Sequence, residues 1–99
     1  MRVTKSQKKI SVDTIVSQAT GLVAADMDGE KVMLNIEKGK YYGINGIGSR
    51  IWELLEIPHR VREVVDALLK EYKVEEKTCQ NDVLAFLNKL YDQGLVNID

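Results

Sequence analysis

A chain of 99 residues suggests one domain, and folding at that size hides somewhat more than ~60% of the unfolded surface, enough for one modest core. A hydrophobic fraction of 44%, a charged fraction of 29% and a net charge of −1 fit an ordinary globular protein, and they argue against one whose main work is neutralising phosphate. One cysteine, Cys79, excludes an internal disulfide and fits a reducing, cytoplasmic setting.

The first ten residues carry Arg2, Lys5, Lys8 and Lys9 but lack the apolar run of a signal peptide. No stretch approaches the ~20 apolar residues needed to span a bilayer. Residues 1–20 are expected to be a flexible or partly ordered segment, with the basic residues as a solvated tail. Ile15 and Val16 leave a short strand or an ordered lead-in open. The domain is expected over residues 21–99.

Leu22 to Met27 reads as a first strand, followed by Asp28-Gly29. That dipeptide between apolar runs signals a type I′ hairpin, because both residues tolerate positive φ. The next strand is expected at about Lys31 to Ile36, with Val32, Leu34 and Ile36 as its apolar face and Met33, Asn35 and Glu37 on the other. Lys38-Gly39 then turns the chain into Lys40-Tyr41-Tyr42-Gly43-Ile44-Asn45, where Tyr41, Tyr42 and Ile44 favour an extended strand. These three strands form an antiparallel meander whose apolar face needs a cover. The strand Lys40–Ile44 is placed at the sheet edge, with its open backbone available to an extended peptide.

Helices follow. Asn45 can cap a first helix with apolar positions Ile47, Ile51, Leu54 and Leu55, flanked by Trp52. Pro58 ends that helix or opens the next. Val61, Val64, Val65, Leu68, Leu69 and Tyr72 give a second helix its apolar stripe, with Arg60 at the N-cap position and Glu63 placed for a capping box. A third helix spans roughly Glu75 to Gln93. Cys79, Val83, Phe86, Leu87 and Leu90 form one stripe, while Leu84, Leu87 and Tyr91 form a second line. Gly94 suits the C-terminal cap, and Leu95 to Ile98 can return as a short strand. The expected architecture is α+β and winged-helix-like, a three-stranded antiparallel sheet followed by three helices.

Convergent catalytic groups are absent at any recognisable spacing. His59, the one histidine, sits beside Pro58 in an expected turn, and with a single distant cysteine a His/Cys metal site is not expected. Cys79 lies on an apolar stripe, the setting of a buried, inert thiol. Gly43, Gly46 and Gly48 precede a helix, but Ile51 occupies the place of the third glycine in a phosphate-binding pattern. No catalytic, metal or cofactor site is expected.

The segment from Val32 through Lys38-Gly39 to Lys40-Tyr41-Tyr42-Gly43-Ile44-Asn45 resembles the PqqD-like family. Ile51-Trp52-Glu53-Leu54-Leu55, Val64-Val65-Asp66-Ala67-Leu68, the run Asp82 to Leu90 and Gly94-Leu95-Val96 continue the match in order, over about residues 22–98. Length and the strand Lys40–Asn45 look most like the stand-alone leader-binding proteins of lasso-peptide biosynthesis. The resemblance implies a RiPP recognition element, a non-catalytic adaptor that binds the leader of a ribosomally made precursor peptide. The leader would add as a strand to Lys40, Tyr41, Tyr42, Gly43 and Ile44, against Asp82, Val83, Phe86, Leu87 and Tyr91 of the third helix. It would then be presented to a processing or modifying enzyme, a lasso-type leader peptidase being favoured. Neither nucleic acid nor a membrane is an expected partner. The same strand edge can also pair with a second copy, so a homodimer is a competing use of it. The alternative function is a winged-helix DNA-binding regulator, but Glu75, Glu76 and Asp82 against Lys77 and Lys89 make the third helix a poor basic recognition helix.

Overall fold

The computed structural model describes residues 10–28, 30–44 and 46–99. Arg2, Lys5, Lys8 and Lys9, Gly29 of the first hairpin turn and Asn45, the expected helix cap, lie outside the described residues. The elements are β1 (Ile15–Gln18), β2 (Leu22–Met27), β3 (Glu30–Asn35), β4 (Lys40–Ile44), α1 (Ile47–Leu54), β5 (His59–Arg60), α2 (Val61–Glu71), α3 (Glu76–Asp92) and β6 (Val96–Ile98). The described strands form two three-stranded antiparallel sheets, in the orders β2-β3-β4 and β5-β1-β6.

The meander of the first sheet is built from its turns. Asp28 takes a φ of 54°, the positive value that a tight hairpin turn needs at its first central residue, and Met27 pairs with Glu30. The second turn is longer than Lys38-Gly39 alone. Asn35 pairs with Lys40, the Asn35 side-chain oxygen accepts the Lys38 amide at 3.0 Å, and Gly39 sits at φ 66°. Residues 36–39 therefore form the loop, and Ile36 is removed from the strand by the Asx-type turn its neighbour makes.

The faces of β3 are the reverse of the alternation read from sequence. Met33 is fully buried, whereas Leu34 is 39% and Ile36 65% exposed. The register explains it. Met33 lies opposite Tyr42 and Lys31 opposite Ile44, so the face shared by Met33, Tyr42 and Ile44 is the one the helices cover. Val23, Leu34 and Tyr41 pair in one row on the opposite, exposed face. Both faces of this strand carry apolar residues, and alternation alone does not say which meets the core.

The second sheet turns the lead-in into structure. Val16 of its central strand is fully buried and pairs with His59 on one side and Ile98 on the other. His59 thus belongs to a two-residue strand rather than a turn, with its Nδ1 2.8 Å from the Ile57 carbonyl oxygen. Gln18 closes the end of α1, its amide side chain donating to the Trp52 carbonyl at 2.7 Å and its backbone N–H to the Leu55 carbonyl at 2.9 Å. Both carbonyls stand at the end of α1, where the helix runs out of its own partners, and the Trp52 carbonyl also accepts the Leu55 N–H at 3.1 Å.

Each helix buries one stripe. Ile51, Trp52 and Leu55 carry α1 into the core, so Trp52 is a core residue rather than a flank, and Ile47 is exposed. In α2 the buried set is Val61, Val64, Val65 and Leu68, and Tyr72 stands at the C-cap, half in solvent. The Arg60 amide donates to Glu63 Oε1 at 3.0 Å, so the acidic half of a capping box forms without a Ser or Thr at the cap. In α3 Cys79, Val83, Leu87 and Leu90 are buried. The helix ends in a Schellman pair, Leu95 N–H to the Leu90 carbonyl at 2.9 Å and Gly94 N–H to the Tyr91 carbonyl at 3.0 Å. Gly94 supplies the φ of 77° that this motif needs.

Candidate functional site

β4 is an edge strand, paired with β3 on one side only. Its free side opens onto a groove whose far wall is α3. The groove has two lobes. The larger, about 410 Å³, lies where Gly43 and Ile44 meet Ile47 and Gly48 of α1, Tyr72 and Val74 after α2, and Thr78, Cys79, Asp82, Val83 and Phe86 of α3. The smaller, about 240 Å³, lies between Tyr42, Gly43 and Ile44 and the later residues Phe86, Lys89, Leu90 and Gln93. Gly43, Ile44 and Phe86 line both lobes, so these are two ends of one groove, and β4 and α3 run along it in opposite directions.

Glycine chemistry opens the larger lobe. A Cβ on Gly48 would meet Ile44 Cγ2 at 2.6 Å and Phe86 Cζ at 3.2 Å, so α1 approaches β4 and α3 this closely only without a side chain there. Gly46 starts the helix at φ 60°. The Ser49 hydroxyl donates to the Ile44 carbonyl at 2.9 Å and ties the end of β4 to α1. At Gly43 the nearest obstacle to a Cβ is the end of the flexible Glu30 side chain, at 3.3 Å.

Asp82 is the charged residue lining the larger lobe and Lys89 the charged residue lining the smaller. Neither joins an ion pair among the described residues. Burial pushes the Cys79 thiol above its ordinary pKa, and the charge of Asp82 adds to the shift, so this thiol stays protonated and inert. Among the described residues no group of three or more His, Cys, Asp or Glu side chains could hold a metal ion, and no helix is long and apolar enough to cross a membrane. A third, more polar hollow near the loop 36–39 and Gly94 brings together turn residues rather than convergent chemical groups.

Of the residues singled out from sequence, Gly43, Ile44, Asp82, Val83 and Phe86 come together at the larger lobe, and Tyr42 lines the smaller. Lys40 and Tyr41 belong to the edge strand, but Tyr41 is 75% exposed on the outer face. Leu87 is fully buried beneath the groove and presents nothing to a ligand. Tyr91 lines neither lobe. The second apolar line of α3 has a different neighbour, since Asn88, between Leu84 and Tyr91, accepts the amide of the buried Ile10 at 3.1 Å. Sequence reasoning missed Ile47, Gly48, Tyr72, Val74, Thr78 and Lys89. Ile47 belongs to the apolar stripe read for α1, and only the structure shows it exposed at the groove.

The family model described as Coenzyme PQQ synthesis protein D (PqqD) matches residues 30–96. No curated protein matches the chain in sequence. The structure "TbiB1 in Complex with the TbiA(beta) Leader Peptide" contains a chain 38% identical to this one, with a TM-score of 0.76 over 82% of this chain and 94% of that one. "Lasso peptide synthetase B1 complexed with the leader peptide" contains a chain that shares the fold, with a TM-score of 0.75 over 83% of this chain and 96% of that one at 24% identity. The match to the family model runs from the second strand of the meander to the last strand of the molecule, and the chain belongs to the PqqD family.

Proposed function

We propose that this protein is a non-catalytic adaptor that binds the leader segment of a ribosomally made precursor peptide. The leader adds as a strand to the free edge of β4, lies in the groove against α3, and is presented to a processing or modifying enzyme. A leader peptidase of the lasso type is the first choice of partner enzyme. The observation that carries this reading is the free edge of β4 opening onto a groove whose larger lobe is mainly apolar and whose smaller lobe is mixed. Strand addition takes affinity from main-chain hydrogen bonds and selectivity from side-chain pockets, and this site offers both. The likeness to TbiB1, solved with a leader peptide, supports the same use here.

The titratable groups lining the larger lobe are Asp82, Tyr72 and the protonated Cys79. These do not make a nucleophile and its base, which is why the reading has no chemical step. Duplex DNA fits poorly, because α3 opens with Glu76 and brings Asp82 to the groove. A homodimer through β4 would occupy the same edge and would compete with the leader.

Fluorescence polarisation of a labelled leader peptide from a precursor encoded beside this gene tests the reading, with a scrambled leader and duplex DNA as controls. Saturable binding to the leader alone is expected. Salt-sensitive binding to DNA without leader binding would overturn it.

A further inference from the structure

Asp82, Phe86 and Lys89 fall at i, i+4 and i+7 of α3 and therefore share one face of the helix. The groove confirms the geometry, since Asp82 lines one lobe, Lys89 the other, and Phe86 both. Each lobe so carries one charged side chain, of opposite sign, with an aromatic ring between them. Neither charge is neutralised by a described neighbour. The groove is electrically polar along its length.

We infer that this polarity selects the direction and register of the bound peptide, through a basic residue placed N-terminal to an acidic one on the same face of the added strand. The inference rests on the leader-binding reading and adds to it the charge pattern of the ligand. The direction follows from the sheet. β4 already runs antiparallel to β3, and an antiparallel newcomer continues that pattern with the more stable ladder. Such a strand enters beside Ile44 and leaves beside Lys40. It meets the Asp82 lobe first and the Lys89 lobe second.

The spacing follows from helix and strand geometry. Seven residues of α3 separate the charges by about 10 Å along its axis. Same-face side chains of an extended strand stand about 7 Å apart at a separation of two residues and about 14 Å at four. Four leaves one intervening same-face side chain over Phe86, and the length of the charged side chains takes up the remainder. The preferred pattern is basic, any, apolar, any, acidic, in chain order. Complementary charge of this kind chooses partners and fixes register more than it adds affinity.

The test uses the full chain and three labelled peptides sharing one background. The first contains Thr-Lys-Thr-Leu-Thr-Glu-Thr, the second exchanges its Lys and Glu, and the third carries Gln at both places. Polarisation at low salt should rank the first about threefold or more tighter than the second, with the third between, given the modest worth of exposed pairs. In an Asp82→Lys, Lys89→Glu double variant, checked for folding by circular dichroism, the ranking of the first two should invert. Equal binding of the two orders, or tighter binding of the exchanged order to the unaltered chain, overturns the inference. The leader reading is scored separately with the intact leader. If the leader binds but charge order is ignored, the charge rule alone falls, and if neither leader nor peptides bind, both fall.

Discussion

Gly48 approaches Ile44 so closely that a Cβ on the glycine would stand 2.6 Å from the Ile44 Cγ2 atom. That contact holds α1 against the end of the edge strand, and Phe86 closes the other side at 3.2 Å. Adding one methyl must displace Ile44 or Phe86, and overpacking of this kind costs about 1–3 kcal/mol. Gly48→Ala should therefore lower stability in urea titration and weaken leader binding, because both displaced residues line the groove. Gly43→Ala is the control. Its new methyl would meet only the Glu30 carboxylate end at 3.3 Å, so its stability change should be the smaller. Equal loss in the two variants would contradict this account of the glycines.

The orientation of β3 is testable by paired truncations. Met33→Ala empties a fully buried site and should cost about 2–5 kcal/mol. Leu34→Ala, on the exposed face, should cost well under half as much. Thermal or urea melts decide it, and a larger loss at Leu34 would restore the face assignment read from sequence.

Phe86 and Leu87 are neighbours in sequence with opposite duties. Leu87 is fully buried, and Leu87→Ala should destabilise by about 2–5 kcal/mol. Phe86 lies at the junction of the two lobes. Phe86→Ala should keep the domain folded and weaken leader binding by at least about tenfold, the scale of an aromatic anchor in an interface. A stable Phe86→Ala variant that binds leader like the unaltered chain would remove Phe86 from the site.

Arg50 of α1 grips Glu71 at the end of α2, with Nε 2.9 Å from Oε1 and Nη2 2.8 Å from Oε2. The hydrogen bonds from Arg50, and then its charge, hold the Glu71 carboxyl below its ordinary pKa. A carboxylate with a lowered folded pKa contributes stability above its unfolded pKa and loses it as pH falls through the folded value. Glu71→Gln should therefore melt slightly lower than the unaltered chain at neutral pH, and the gap should close below about pH 4. Asp13 is held low by Arg62 in the same way and remains in both proteins, so the difference isolates Glu71. A gap that does not change with pH would assign the loss to packing instead.

Much of this was legible in the sequence. The β2-β3 hairpin was announced by Asp28-Gly29, four of the six residues of the α2 stripe are buried while Leu69 is half-buried and Tyr72 exposed at the C-cap, and Gly94 marked the end of α3, because each rests on local geometry. The second sheet was not legible. A two-residue strand at His59-Arg60 and a three-residue one at Val96–Ile98 carry no period, and only their pairing with Ile15–Gln18 makes them strands. The face of β3 depended on its partner's register. The groove side of α3 depended on what else packs there. Leu87 belongs to both apolar lines of that helix, and only the approach of Ile10 to Asn88 on one side and of Ile44 on the other separates them.

The central claim is that the leader becomes a new strand on β4, and backbone amide resonances measure that most directly. Nitrogen-edited NMR and amide exchange on the labelled protein, with and without leader, would follow each amide of Lys40 to Ile44. Strand addition predicts new exchange protection at alternate β4 amides, those pointing away from β3, together with shifts along the Asp82–Lys89 face of α3. Saturable leader binding that leaves the β4 amides unprotected would contradict it and move the leader to another surface.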